Sequence, residues 1–99
     1  MYTIINRRTT NPDRQQEIVQ RAQSEFFPKL RSVPGLIGFY LVPDEQSGVA
    51  TAIVVWEDKA QADAFEHEAA QWGRVLDELG EALESDDRGQ TVVSIEPHR

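Results

Sequence analysis

Two neighbouring stretches, LIGFYLV (Leu36 to Val42) and VATAIVVW (Val49 to Trp56), are apolar at both alternating positions. Successive side chains of a strand point to opposite faces of its sheet. In the first stretch Leu36, Tyr40 and Val42 share one parity, and Ile37, Phe39 and Leu41 the other. In the second, Ile53 and Val55 stand against Val54 and Trp56. An antiparallel sheet covered on one side alternates apolar with polar residues. These strands do not, so both faces of their sheet require cover. The polar link PDEQSG (Pro43 to Gly48) is short and ends in glycine, which implies a hairpin.

The flanking segments supply the remaining elements. YTIINRRT (Tyr2 to Thr9) is rich in β-branched residues and reads as a strand. After it, Asn11 is placed to cap a helix and Pro12 suits its first position. Ile18, Ala22, Phe26 and Leu30 recur at helical spacing, widened by Val19 and Val33. Pro28 is expected to kink or shorten this helix, and Pro34–Gly35 to end it. A second helical region follows Trp56, with Asp58 as cap and a possible break near Gly73. Its apolar seam runs through Phe65, Ala69, Trp72, Leu76, Leu79 and Leu83. DDRGQ reads as a loop, and TVVSIE (Thr91 to Glu96) as the last strand. The order β-α-β-β-α-β defines an α+β, ferredoxin-like unit: a four-stranded antiparallel sheet with both helices on one face. Residues 1–99 form a single domain of this kind. Two helices leave the other face bare, and a second copy of the chain, sheet against sheet, is the simplest cover. A homodimer is therefore expected.

Composition excludes several classes of function. Residues 1–34 carry six Lys/Arg against three acids, and residues 35–99 carry four against fourteen, giving −7 overall. A mostly acidic chain repels phosphate backbones, so no nucleic-acid partner is expected. There is no cysteine, which removes thiolate metal sites, iron–sulfur clusters and thiol nucleophiles. With two histidines and no cysteine, no metal site is expected. No apolar run is long enough for a membrane span, and the start lacks the order of a signal peptide, so a cytoplasmic protein is expected.

The strand ending in INRR, the words VPGLIGFYLV, and VVWEDKAQADAFEHEA occur in an order that resembles the antibiotic biosynthesis monooxygenase-like family of dimeric α+β barrels. That resemblance implies ferredoxin-like units paired through their sheets. It also implies, for some members, oxidation of polycyclic phenols or anthrones to quinones with no metal or flavin cofactor. There the substrate passes electrons to oxygen while the protein positions it and helps remove a proton. Haem-degrading members use an asparagine, a tryptophan and a histidine. Asn6 falls at the first position, but Phe65 and Val75 fall at the other two. Valine cannot ligate iron, so haem degradation is disfavoured.

Candidate site residues follow. His67, in AFEHEAAQW, lies about 200° around the helix from Phe65 and so faces solvent, where an Asp63–His67 pair is expected. Phe65, Ala69 and Trp72 face the sheet instead, and with Phe26 they can wall a pocket for a flat aromatic ligand. Asn6, on the same strand face as Tyr2, Ile4 and Arg8, either ends its strand near solvent or aims its amide into that pocket. Tyr40 is a candidate for proton handling, against a packing role that Trp56 shares. Asp77, Glu78, Glu81, Glu84, Asp86 and Asp87 read as a solvated acidic surface. The expected function is a cofactor-independent monooxygenase acting on a small oxygenated aromatic. The alternative is a non-catalytic small-molecule-binding or interaction module of the same fold.

Overall fold

The computed structural model describes residues 1–97. Strand β1 spans Tyr2–Thr9, β2 Leu36–Asp44, β3 Val49–Trp56 and β4 Leu83–Gln90. They form one antiparallel sheet in the order β2-β3-β1-β4. Helices α1 (Gln15–Arg21) and α2 (Phe27–Ser32) follow β1, and α3 (Lys59–Ala64) and α4 (Glu66–Glu78) follow β3. The expected ferredoxin-like α+β architecture is the observed one.

The first helical segment is continuous through Pro28. A π-helical turn, Ala22–Phe26, separates α1 from α2, and the Phe27 amide reaches the Ala22 carbonyl. The wider turn accommodates a residue that lacks an amide donor and whose ring would clash in an α-helical ladder. Asn11 starts this segment but its side chain does not cap it; Nδ2 donates to the Leu79 carbonyl at 2.8 Å. In the second segment Asp58 caps as expected, accepting from the Gln61 amide at 3.0 Å. The break falls at Phe65, between α3 and α4, and Gly73 lies inside α4.

The end of the chain differs most from the sequence reading. Leu79 and Gly80 close α4, and the fourth strand is LESDDRGQ, not TVVSIE. Leu83 therefore leaves the helical seam, and the supposed loop DDRGQ pairs with β1 from Asp86 opposite Asn6 to Gln90 opposite Tyr2. Polar residues tolerate this strand because it is an edge. Val92 and Ile95, expected inside the sheet, are 90% and 84% exposed.

Pairing fixes the two faces. Tyr2, Ile4, Asn6 and Arg8 oppose Trp56, Val54, Ala52 and Ala50, and this side carries the helices. A bulge at Ile37 shifts the register of β2, so Leu36 joins Phe39 and Leu41 on the helix side. The other side presents Ile5, Ile53, Val55, Tyr40 and Val42. The core gathers Tyr2, Ile4, Phe26, Leu30, Trp56, Ala62 and Phe65. Trp56 is the anchor, at 1% exposure, with the Phe65 ring 5.5 Å away.

Candidate active site

The helix layer does not close fully on the sheet. A cavity of about 390 Å³ lies between them, with apolar walls from Phe26, Phe65, Ala69, Trp72, Val54 and Trp56. That volume is within the range that accepts small organic ligands. Phe26 and Trp72 lie parallel, 5.2 Å apart at 8°, and Phe39 meets Phe26 edge-on at 6.0 Å. The wall is thus a connected aromatic surface rather than isolated rings.

Polar groups enter this apolar space at a few points. Asn6 alternates with Ile4 and Arg8 on β1, so strand geometry alone directs it inward. Its Oδ1 is buried and has no hydrogen-bond partner, as is true of Trp56 Nε1. Buried polar atoms in proteins are usually paired, so each unpaired one calls for an explanation. Asn6 lies opposite Ala52, four residues from Trp56 on β3, so the two groups stand at separate ends of the cavity.

Beyond Asn6, Arg8 is 16% exposed and donates through Nη1 to Asp77 Oδ1 at 2.8 Å and to the Glu81 carbonyl at 2.7 Å. Gly73 makes room for it: a Cβ there would stand 3.0 Å from Arg8 Nη2. At the rim, Arg88 bridges Asp86 Oδ2 at 2.7 Å and Glu66 Oε2 at 3.2 Å. Among the described residues, Glu81 is the buried charged side chain, at 8% exposure. Burial pushes its carboxyl above the usual carboxylate range, opposed by the Asn11 amide and the Arg8 charge. The expectation of a solvated surface therefore fails for Glu81, and Asp77 and Asp86 also line the cavity. The signal was the glycine before Glu81, which turns the chain inward at the helix end.

The structure brings Asn6, Phe26, Phe65, Ala69 and Trp72 together around one cavity. Tyr40 is excluded from it. The residue lies opposite Ile53 on the other face of the sheet, 55% exposed, with its hydroxyl over Gly38. Strand parity, once the bulge is counted, forbids it from meeting Asn6 within one chain. His67 faces outward as expected, but its neighbour is Gln71 at 3.2 Å, because Asp63 pairs with Lys59 at 2.8 Å. His98 lies outside the described residues. Among those residues no group of three or more His, Asp or Glu is arranged to hold a metal ion.

No curated protein sequence matches the chain. Solved structures share its fold at low identity. HapK from Hahella chejuensis superposes with a TM-score of 0.74 at 15% identity, covering 100% of both chains. The monooxygenase from the gene ActVA-Orf6 of Streptomyces coelicolor, solved with the ligand nanaomycin D, gives 0.70 at 15% identity, over 98% of this chain and 91% of that one. A conserved protein from Methanosarcina mazei Go1 gives 0.68 at 14% identity, over 89% and 87%. At such identities the likeness speaks to fold alone. The sequence itself matches the family model for antibiotic biosynthesis monooxygenase over residues 1–72, which takes in β1, the hairpin and the aromatic wall through Trp72. On that match, and with the fold in agreement, the chain belongs to the antibiotic biosynthesis monooxygenase family.

Proposed function

We propose that this protein is a cofactor-independent monooxygenase that oxidises a flat, oxygenated aromatic of the anthrone, phenol or quinol class. The observation that carries the reading is Asn6, whose buried Oδ1 has no partner, in the lining of an apolar cavity walled by Phe26, Phe65, Ala69 and Trp72. A buried acceptor left unmade costs about 1–3 kcal/mol, and a ligand hydroxyl would recover it.

The chemistry needs no resident redox group. An anthrone-type methylene loses a proton, and the resulting anion gives electrons to oxygen. The peroxide formed then collapses to a carbonyl and water. The chain's part is to hold the rings flat against Trp72 and Phe26, fix one oxygen at Asn6, and exclude bulk water.

Two copies complete the assembly in this proposal. Ile5, Ile53, Val55, Tyr40 and Val42 form an apolar sheet face without cover, and Val92, Val93 and Ile95 extend exposed beside an unpaired edge. A second copy covers both features by placing sheet on sheet. Tyr40 belongs to that interface, not to proton handling. Among the described residues no helix is long and apolar enough to cross a membrane.

Aerobic incubation with hydroxyanthrone-type substrates, followed by oxygen uptake and quinone absorbance, tests the activity. Turnover with one oxygen consumed per carbonyl formed is expected. Quenching of Trp72 fluorescence without turnover would instead support the binding module, and neither signal would reject both readings.

A further inference from the structure

The cavity contains a proton acceptor that no resemblance supplies. Glu81 lies outside the residues matched to the family model. It occupies the second position after the capping residue Leu79 in a helix-ending motif. The Gly80 amide donates to the Asp77 carbonyl at 3.1 Å and the Glu81 amide to the Leu76 carbonyl at 2.9 Å. Gly80, at φ +88°, makes that turn. This position usually holds an apolar residue that packs back on the helix. Here it holds a carboxyl group, buried and lining the cavity.

Its surroundings suit a base. From β1, Arg8 faces it; from α4, Asp77 faces the same guanidinium and takes one of its N–H groups. From the turn after β1, the Asn11 backbone amide favours the charged form of Glu81, while Arg14 is engaged by the Glu78 carbonyl and Glu17. Leu83, opposite Arg8 on β4, brings no charge. The backbone amide and the Arg8 cation both act on the carboxyl group, and that cation is placed to receive an anion.

We propose that Glu81 is the general base of this cavity, taking the proton from the acidic C–H or O–H of the bound aromatic, with Arg8 holding the oxyanion that results. The proposal rests on the monooxygenase reading above. For a methylene substrate, Glu81 accepts the first C–H proton, and the carbanion and oxygen form a C–O bond. The acid returns that proton to the peroxide. The carboxylate then takes the second C–H proton as the O–O bond breaks and hands it to the departing hydroxide. One methylene and one oxygen molecule give one carbonyl and one water, and the carboxylate is restored. A group held above the usual carboxylate range is a stronger base than an exposed glutamate.

The test compares wild type with Glu81→Gln, which keeps the size and polarity of the side chain, and with Glu81→Asp, which keeps the acid but retracts it. Oxygen uptake on a dihydroxyanthrone is measured across pH. In parallel, 1-hydroxyanthraquinone, which is already oxidised, is bound and its phenolate absorbance titrated. Expected for Glu81→Gln are a fall in kcat of about 100-fold or more, loss of the acidic limb of the pH profile, and unchanged affinity for the neutral probe. The bound probe should ionise about one pH unit lower, since a like charge has been removed. Glu81→Asp should keep the acidic limb at reduced rate. An active wild type with the same rate and limb in Glu81→Gln would overturn the proposal. If wild type itself does not oxidise the substrate, the monooxygenase reading fails. The probe then decides separately: a shift supports Glu81 as proton acceptor for the ligand, and no shift overturns it.

Discussion

Asn6 and Glu81 are polar side chains kept inside at a cost, and that cost allows function to be separated from structure. Asn6→Leu removes an unpaired amide oxygen from an apolar wall. Urea unfolding should show stability unchanged or raised by about 1 kcal/mol, while ligand affinity by tryptophan quenching falls about tenfold. Destabilisation with unchanged affinity would mean that Asn6 is a structural residue. Glu81 predicts a pH dependence of opposite sign to that of the surface carboxylates. Its folded-state value is raised, so its contribution to stability is full below the usual glutamate range and is lost as pH rises through the raised value. Glu25, held down by its hydrogen bond from Arg21, and Asp44, held down first by Ser47, lose theirs as pH falls. Urea unfolding across mildly acidic pH should show the Glu81 component vanish in Glu81→Gln. Strand alternation was enough to place Asn6 beside Arg8 in the sequence. Glu81 was not legible, because an acid among acids looks solvated until a turn carries it inside.

At the scale of elements, one glycine controls both the end of α4 and the position of Glu81. Gly80 adopts a backbone conformation that L residues avoid, and a Cβ there would stand 2.5 Å from Asn11 Nδ2. Gly80→Ala should therefore destabilise the fold by at least about 1 kcal/mol in urea unfolding and disturb the Asn11–Leu79 hydrogen bond. A fully stable variant would show that the turn has other solutions. The π-turn before Pro28 carries a similar lesson. Proline chemistry predicts an interrupted ladder, but whether the helix stops or widens depends on what packs against it. Here Phe26 and Leu30, on either side of the interruption, are both buried in the core, and the chain keeps its helical course to seat them. The displaced fourth strand has the same origin. LESDDRGQ has little strand propensity, yet it pairs with β1 along the whole edge because the Gly80 turn delivers it there.

At the scale of the molecule, the bare sheet face and the exposed Val92–Ile95 segment ask for a second copy. The radius of gyration, 13.9 Å, slightly exceeds the roughly 13 Å of a compact chain of this length. Sedimentation at micromolar concentration should give twice the 11.2 kDa chain mass. Val42→Lys, at a position 54% exposed in the single chain, should yield monomers of unchanged fold. A monomeric wild type would remove the sheet-on-sheet assembly. The sequence by itself determined the element order, the first three strands, the aromatic wall and the strand face that Asn6 shares with Tyr2, Ile4 and Arg8. Each of these follows from side-chain periodicity, which is local and written into consecutive residues. Tertiary structure alone decided that Tyr40 lies outside the cavity, that the last strand begins at Leu83, and that Glu81 is buried. Those outcomes turn on a bulge, a helix-ending glycine and an edge pairing, where contacts between distant residues outweigh local preference.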